Sequence, residues 1–217
     1  MTVEITAFRW VPEPARGYVK DLRVRWALEE AGLPYRVALV GPGETAASTH
    51  RARQPFGQIP LYRDDGVDLF ESGAIILHIA AKSEALAPRD PAGWARTTAW
   101  VFAALNSVEP AGYAVMDLGP AYSGNESKTE QAGRVRAEQR LASRLDGLAV
   151  WLNDRTWLEN GRFSAGDLMM CSVLRELLDE GLLADHPVLA AYTRRGLDRP
   201  GFQRALAAQL ADFSPHP

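Results

Sequence analysis

The chain has one cysteine, Cys171, so no internal disulfide can form and a cytoplasmic setting is the simplest expectation. Histidine is nearly as scarce. His50, His78, His186 and His216 lie scattered, without the spacing that metal ligation needs, and no metal site is expected. Basic residues do not outnumber acidic ones. With 24 Lys and Arg against 27 Asp and Glu the net charge is −3, so neither nucleic acid nor an anionic membrane is an expected partner. No apolar run approaches the roughly 20 residues of a membrane-spanning helix. The opening residues MTVEITAFRW lack the basic start and long apolar core of a secretory signal. Repeats and low-complexity tracts are absent too. These absences leave an ordinary folded chain of 217 residues, long enough to bury a core in one domain or two.

Its texture changes near residue 85. Before that point short strand and helix signals alternate. Residues 2–10 suit a strand, and Val19 to Ala31 a helix with Val19, Leu22, Trp26 and Leu28 inward and Arg23, Arg25, Glu29 and Glu30 toward water. Gly32 and Pro34 stop that helix, Tyr35 to Val40 reads as a strand, and Gly41-Pro42-Gly43 ends it. Residues 44–53 are polar, with room for a short helix. Ile59 to Tyr62 and Val67 to Phe70 then form a hairpin about Asp64-Asp65-Gly66, followed by a helix from Ser72 to Lys82. The order is β-α-β-(α)-β-β-α. Residues 83–93, with two prolines, read as a linker. Helices dominate beyond it: Trp94 to Val115 with a kink at Pro110, Gln131 to Asn153, Ser164 to Leu178, one starting at Pro187, and Gly201 to Leu210.

Two features are odd for a plain hairpin. Pro60 sits inside an apolar run although proline has no N–H for a sheet ladder, which restricts it to an edge, a strand start or a bulge. At the exit, Glu71-Ser72 leads straight into a helix, where Ser72 suits an N-cap. Further on, Ser164 and Asp167 have the spacing of a capping box, and Phe163 and Leu168 that of a hydrophobic staple, so Asp167 reads as a folding element before a general base. Cys171, among Leu168, Met169 and Leu174, reads as a small buried apolar residue.

The run from Gln54 through Pro55-Phe56-Gly57-Gln58-Ile59-Pro60, then Asp64-Asp65-Gly66 and Leu69-Phe70-Glu71-Ser72-Gly73-Ala74-Ile75, resembles the glutathione-binding core of glutathione S-transferases. RVRWALEEAGLPYR (Arg23 to Arg36) is similar to the first helix and second strand of that family, FSAGDLMMCSVL (Phe163 to Leu174) to its buried capping motif, and RPGFQRAL (Arg199 to Leu206) to its C-terminal signature. The resemblance covers nearly the whole chain in order. It implies a thioredoxin-like α/β N-terminal domain over residues 1–82, the linker 83–93, and an all-α C-terminal domain over 94–217 that contributes the electrophile site. It also implies glutathione as co-substrate, a small electrophilic substrate and a homodimer.

By that resemblance the Ile59–Pro60 bond is cis and the Ile59 backbone pairs with the cysteinyl unit of glutathione as an added strand would. Glu71 and Ser72 receive the γ-glutamyl end. An acid takes its ammonium, and a helix start, with unpaired N–H groups and the positive end of its dipole, takes its carboxylate. Gln58, and His50 with less support, would meet the glycyl carboxylate. The pattern departs from the family where the chemistry lies. The loop WVPEPARGYVKD (Trp10 to Asp21), where the family usually places Ser, Tyr or Cys to activate the thiol, has no serine and no cysteine. Tyr18 falls at the position of the serine-type hydroxyl, with Arg16 as the alternative and Lys20 as a further cation. A packing role for Tyr18 stays open. Trp100, Phe102, Tyr113 and Met116 on the long helix are candidates for the electrophile wall. Two functions follow: a glutathione transferase, or a non-catalytic glutathione-binding or ligand-carrying module of the same fold.

Overall fold

The computed structural model describes residues 3–118, 127–159 and 161–214. The first residue of the strand expected over 2–10 and His216 lie outside them. Four strands form one sheet in the order β2-β1-β3-β4: β1 (Val3–Phe8), β2 (Tyr35–Val40), β3 (Tyr62–Asp64) and β4 (Val67–Leu69). β1 runs parallel to β2 and antiparallel to β3, and β3 is antiparallel to β4. As a central strand, β1 has neighbours on both sides, and Val3, Ile5, Thr6 and Ala7 are all buried. α1 (Asp21–Ala31) and α3 (Ser72–Ala80) pack on each other, and a short α2 (Ser48–Arg51) precedes the hairpin. This is the thioredoxin-like mixed sheet that the resemblance implies.

Local chemistry sets the boundaries. α1 ends at Gly32, whose φ of 66° is a left-handed conformation that favours glycine, and the Leu33 N–H bonds back to the Leu28 carbonyl at 3.0 Å. β3 begins at Tyr62 and not at Ile59, because Pro60 brings no donor. Leu61 is nonetheless tied to β1: its carbonyl accepts the Thr6 N–H at 2.9 Å and its N–H donates to the Thr6 hydroxyl at 2.7 Å. At the opposite end of the hairpin the buried Asp64 carboxylate accepts from the Tyr62 hydroxyl at 2.6 Å, His78 Nε2 at 3.0 Å and Lys82 Nζ. Burial pulls that carboxyl up, yet the donors outweigh it and hold it at about 2.

The sequence places Arg23 and Arg25 toward water, and the structure corrects this. Both are buried, at 4% and 1% exposure. The cause is α9 (Pro200–Ala211), which lies along the face of α1 left polar by the helical pattern. Arg25 donates from Nε to Asp21 at 2.8 Å and from Nη2 to Asp212 at 2.6 Å. Arg199 grips Glu30 with two bonds of 2.8 and 2.7 Å, and Arg204 reaches Glu29 at 2.7 Å. The Phe202 ring meets Trp26 edge-on at 5.0 Å. Gly201 permits the approach, since a Cβ there would stand 2.7 Å from a Glu30 carboxylate oxygen. The family-like run from Arg199 to Leu206 is therefore a clamp on α1.

Because of that clamp, the sheet-bearing unit comprises the residues up to Trp94 together with those from Leu197 onward, and the second unit is Ala95–Gly196. The sequence reading leaves residues 197 onward with the helical domain, and the expected linker lies inside the first unit.

α4 (Pro91–Ala103) starts three residues before the expected Trp94 and crosses the boundary between the units. The expected kink at Pro110 is a wide π turn over Ala104–Val108, after which α5 (Glu109–Met116) resumes. Proline brings no N–H to the helical ladder and crowds the preceding turn, which the wider turn accommodates. α6 (Lys128–Leu152), α7 (Ala165–Asp179) and α8 (Pro187–Leu197) follow. Among the described residues no helix is long and apolar enough to cross a membrane.

Candidate functional site

The sheet register gathers distant segments at one end. β1 ends at Phe8, and the loop Arg9–Lys20 departs there after the Arg9 N–H donates to the Val40 carbonyl at 2.9 Å. β3 runs opposite to β1 with Ile5 facing Tyr62, so Ile59–Pro60 precedes it at that same end. β4 returns with Leu69 opposite Tyr62, which brings Glu71–Ser72 there as well. Three of the segments named from the sequence thus lie at the C-terminal end of β1.

Ile59–Pro60 is a cis bond. Among the described residues no hydrogen bond takes up the N–H or C=O of Ile59. The preceding turn is built on Gln54, which the sequence reading quotes but gives no role. Gln54 is buried, and its Oε1 accepts the N–H groups of Phe56 at 2.7 Å and Gln58 at 3.2 Å. A glutamine ahead of Pro-x-Gly was the available signal. Gln58 itself is exposed. His50 Nε2 donates to the Gln58 carbonyl at 2.8 Å, so it steadies this turn from outside.

Ser72 does not cap α3. It is the first helical residue and is buried, while Glu71 holds the cap position, exposed, with φ 69° and ψ 115° and no side-chain cap bond. A left-handed φ is costly for a residue with a Cβ and is kept where the surrounding chain dictates it. The cap residue's side chain therefore leaves the first-turn N–H groups of α3 uncapped.

In the departing loop, Glu13–Ala15 forms a single 3-10 turn, and the Tyr18 N–H donates to the Ala15 carbonyl at 3.0 Å. Tyr18 is 37% exposed. Arg16 turns toward the C-terminal segment, with Nη2 donating to the Ser214 carbonyl at 3.3 Å. Lys20 occupies the cap position of α1. Beneath this loop, burial pushes the Asp21 carboxyl up to about 6, against the pull of Arg25 and Gln209.

In the second unit, Trp100 donates Nε1 to Glu159 at 2.9 Å and packs on Trp151 at 5.3 Å, so its ring is committed to structure. Phe102 is 52% exposed, and the Tyr113 hydroxyl reaches Glu109 at 3.3 Å. Ser164 and Asp167 form the expected capping box, both buried. Burial pushes the Asp167 carboxyl up, against the pull of the Leu158 N–H, Ser164 and Tyr192. Cys171 is fully buried, with Sγ 4.0 Å from the Tyr192 carbonyl. Neither group is accessible for chemistry on a substrate.

A family model described as "Glutathione S-transferase, N-terminal domain" matches residues 22–87. A "Glutathione S-transferase" of Hyoscyamus muticus is 25% identical over 200 residues, covering 85% of this chain and 92% of its own. "Glutathione S-transferase 4" of Zea mays is 40% identical over 62 residues, 28% of each chain. Residues 22–87 thus resemble the N-terminal domain of glutathione S-transferases, and most of the chain is similar to a relative of that name. Solved structures agree on the fold. A glutathione transferase from Burkholderia graminis, with two glutathione molecules bound per subunit, superposes with a TM-score of 0.78 at 24% identity, covering 95% of this chain and 88% of that one. Ure2p in complex with glutathione gives 0.78 at 19% identity, covering 95% and 93%. The matched residues 22–87 contain Ile59–Pro60 and Glu71–Ser72 but begin after Tyr18. The match therefore bears on the segment that would hold a ligand more directly than on the loop that would activate it.

Proposed function

We propose that this protein is a glutathione transferase that binds glutathione at the C-terminal end of β1 and activates its thiol for attack on a small hydrophobic electrophile. The observation that carries the reading is the open start of α3, where the exposed Glu71 carboxylate stands beside a first turn that no side chain caps. The γ-glutamyl group presents an ammonium and a carboxylate on one carbon. Glu71 suits the first, and the Ser72 hydroxyl and first-turn N–H groups suit the second. The Ile59 backbone supplies a donor and an acceptor for the cysteinyl unit, and Gln58 a polar contact for the glycyl end. Relatives of the same fold solved with glutathione support the choice of tripeptide.

Ser72→Ala is expected to weaken glutathione binding by about 1–3 kcal/mol, the scale of a hydrogen bond to a charged group. Titration calorimetry measures it, and wild-type affinity would remove Ser72 from the site. A homodimer belongs to the same proposal. Phe56 is 65% exposed and meets Phe70 edge-on at 6.3 Å, leaving an apolar patch that a second copy would cover. Sedimentation equilibrium at the 23.8 kDa of one chain would exclude it.

A second reading, a glutathione-binding module without strong thiol activation, is favoured by one feature. A free thiol with a pKa near 8.5 is only a few per cent ionised at neutral pH, and lowering it by ~2 units requires about 2.7 kcal/mol of preferential thiolate stabilisation. The loop offers neither serine nor cysteine for that task. Absence of conjugation with every electrophile tried, alongside retained glutathione binding, would select this reading.

A further inference from the structure

The segment Gln209 to Ser214 holds the loop that leaves β1 at its start, its middle and its finish. At the start, the Ser214 N–H donates to the Arg9 carbonyl at 2.8 Å. In the middle, the Ser214 carbonyl accepts from Arg16 Nη2 at 3.3 Å, and the Arg16 guanidinium lies 5.8 Å from the centre of the Phe213 ring. At the finish, Gln209 Nε2 donates to the Val19 carbonyl at 3.0 Å and to the Asp21 carboxylate at 2.7 Å. Asp212 adds its bond of 2.6 Å to Arg25. The anchor is firm, since Gln209, Asp21 and Arg25 are each 1% exposed.

We infer that Phe213 and Ser214 are positioning residues for thiol activation, acting through the loop and not on the substrate. The inference rests on the transferase reading above. A hydrogen bond to sulfur depends steeply on distance and angle, and a donor contributes most when it is already in place before the charge forms. A surface loop left untied spends much of its time in other conformations. Tying residues 9–21 to the end of the chain fixes Tyr18 and the loop's N–H groups relative to β1. Arg16, offered from the sequence as an alternative activator, is on this view part of the tie.

The two Ser214 bonds described above are made by its backbone, which defines the test. Ser214→Pro deletes the N–H that reaches Arg9, and Ser214→Ala keeps it. Amide hydrogen exchange over residues 10–20 is to be compared in wild type and both variants without glutathione, and the pH profile of conjugation with a chloronitroaromatic electrophile in its presence. Ser214→Pro is expected to exchange roughly tenfold faster in the loop. Its apparent thiol pKa should rise by about one unit, with turnover near neutral pH roughly tenfold lower. Ser214→Ala should match wild type in every readout. Wild-type exchange and pH profile in Ser214→Pro overturn the inference, as do equal losses in Ser214→Ala. Exchange is read without substrate, so a wild type that fails to bind glutathione overturns the transferase reading, while the exchange result still decides whether the tail orders the loop.

Discussion

Asp167→Ala is expected to cost about 3–5 kcal/mol of stability, the range for removing one partner from a buried hydrogen-bonded charge. Among the described residues the carboxylate takes four donors. Oδ1 accepts the Leu158 N–H at 2.8 Å and the Tyr192 hydroxyl at 2.9 Å, and Oδ2 accepts the Ser164 N–H at 2.9 Å and its hydroxyl at 2.8 Å. Alanine leaves those groups buried without an acceptor, and each stranded donor costs about 1–3 kcal/mol. Asp167→Asn is expected to recover little, because its NH₂ would face donors where Oδ1 or Oδ2 now accepts. Urea unfolding followed by circular dichroism measures both variants. A shift below about 1 kcal/mol for the alanine variant would mean that the four bonds are replaceable.

Tyr18→Phe is expected to lower turnover roughly 10–100-fold, equivalent to about 1.4–2.7 kcal/mol in the barrier. Tyr18 carries the only side-chain hydroxyl between Thr6 and Tyr35. The Thr6 hydroxyl is buried against the Leu61 N–H, and Tyr35 pairs with Val3 at the far end of β1. A hydroxyl serving the sulfur from this loop is therefore Tyr18. Phenylalanine nearly preserves volume, so glutathione affinity and melting should change little while the pH profile moves toward that of the free thiol. Wild-type turnover with a wild-type profile would make Tyr18 a packing residue. Lys20 or backbone N–H groups would then be examined next.

What the sequence revealed about the site follows from where the chemistry resides. The cis Ile59–Pro60 bond and a helix beginning at Ser72 were legible because proline and a helix start act through backbone groups whose behaviour a few residues dictate. The left-handed Glu71 was not, since nothing in Phe-Glu-Ser states that the chain must turn there. Arg23 and Arg25 were misplaced for a related reason. Helical periodicity identifies one buried face, whereas the partner covering the other face, α9, lies some 170 residues away. The capping box of α6 at Ser127 and Glu130 was missed although the Ser-x-x-Glu spacing was present. An apolar pattern starting later outweighed it. The π turn before Pro110 is a finer case: proline announces a disturbance of the helix but not the form it takes.

The clamp of α9 on α1 also bears on the order in which the protein is made. Chains emerge from the ribosome amino end first, and domains generally fold as units as they appear. Here the sheet and α1 are synthesised early, yet Arg199, Phe202 and Asp212, which pair with Glu30, Trp26 and Arg25, come after the whole intervening helical unit. Until then one side of α1 carries an indole and two ionised groups without those partners. The sheet-bearing unit therefore closes only after the intervening helical unit has been made, and α9 completes a structure begun long before it.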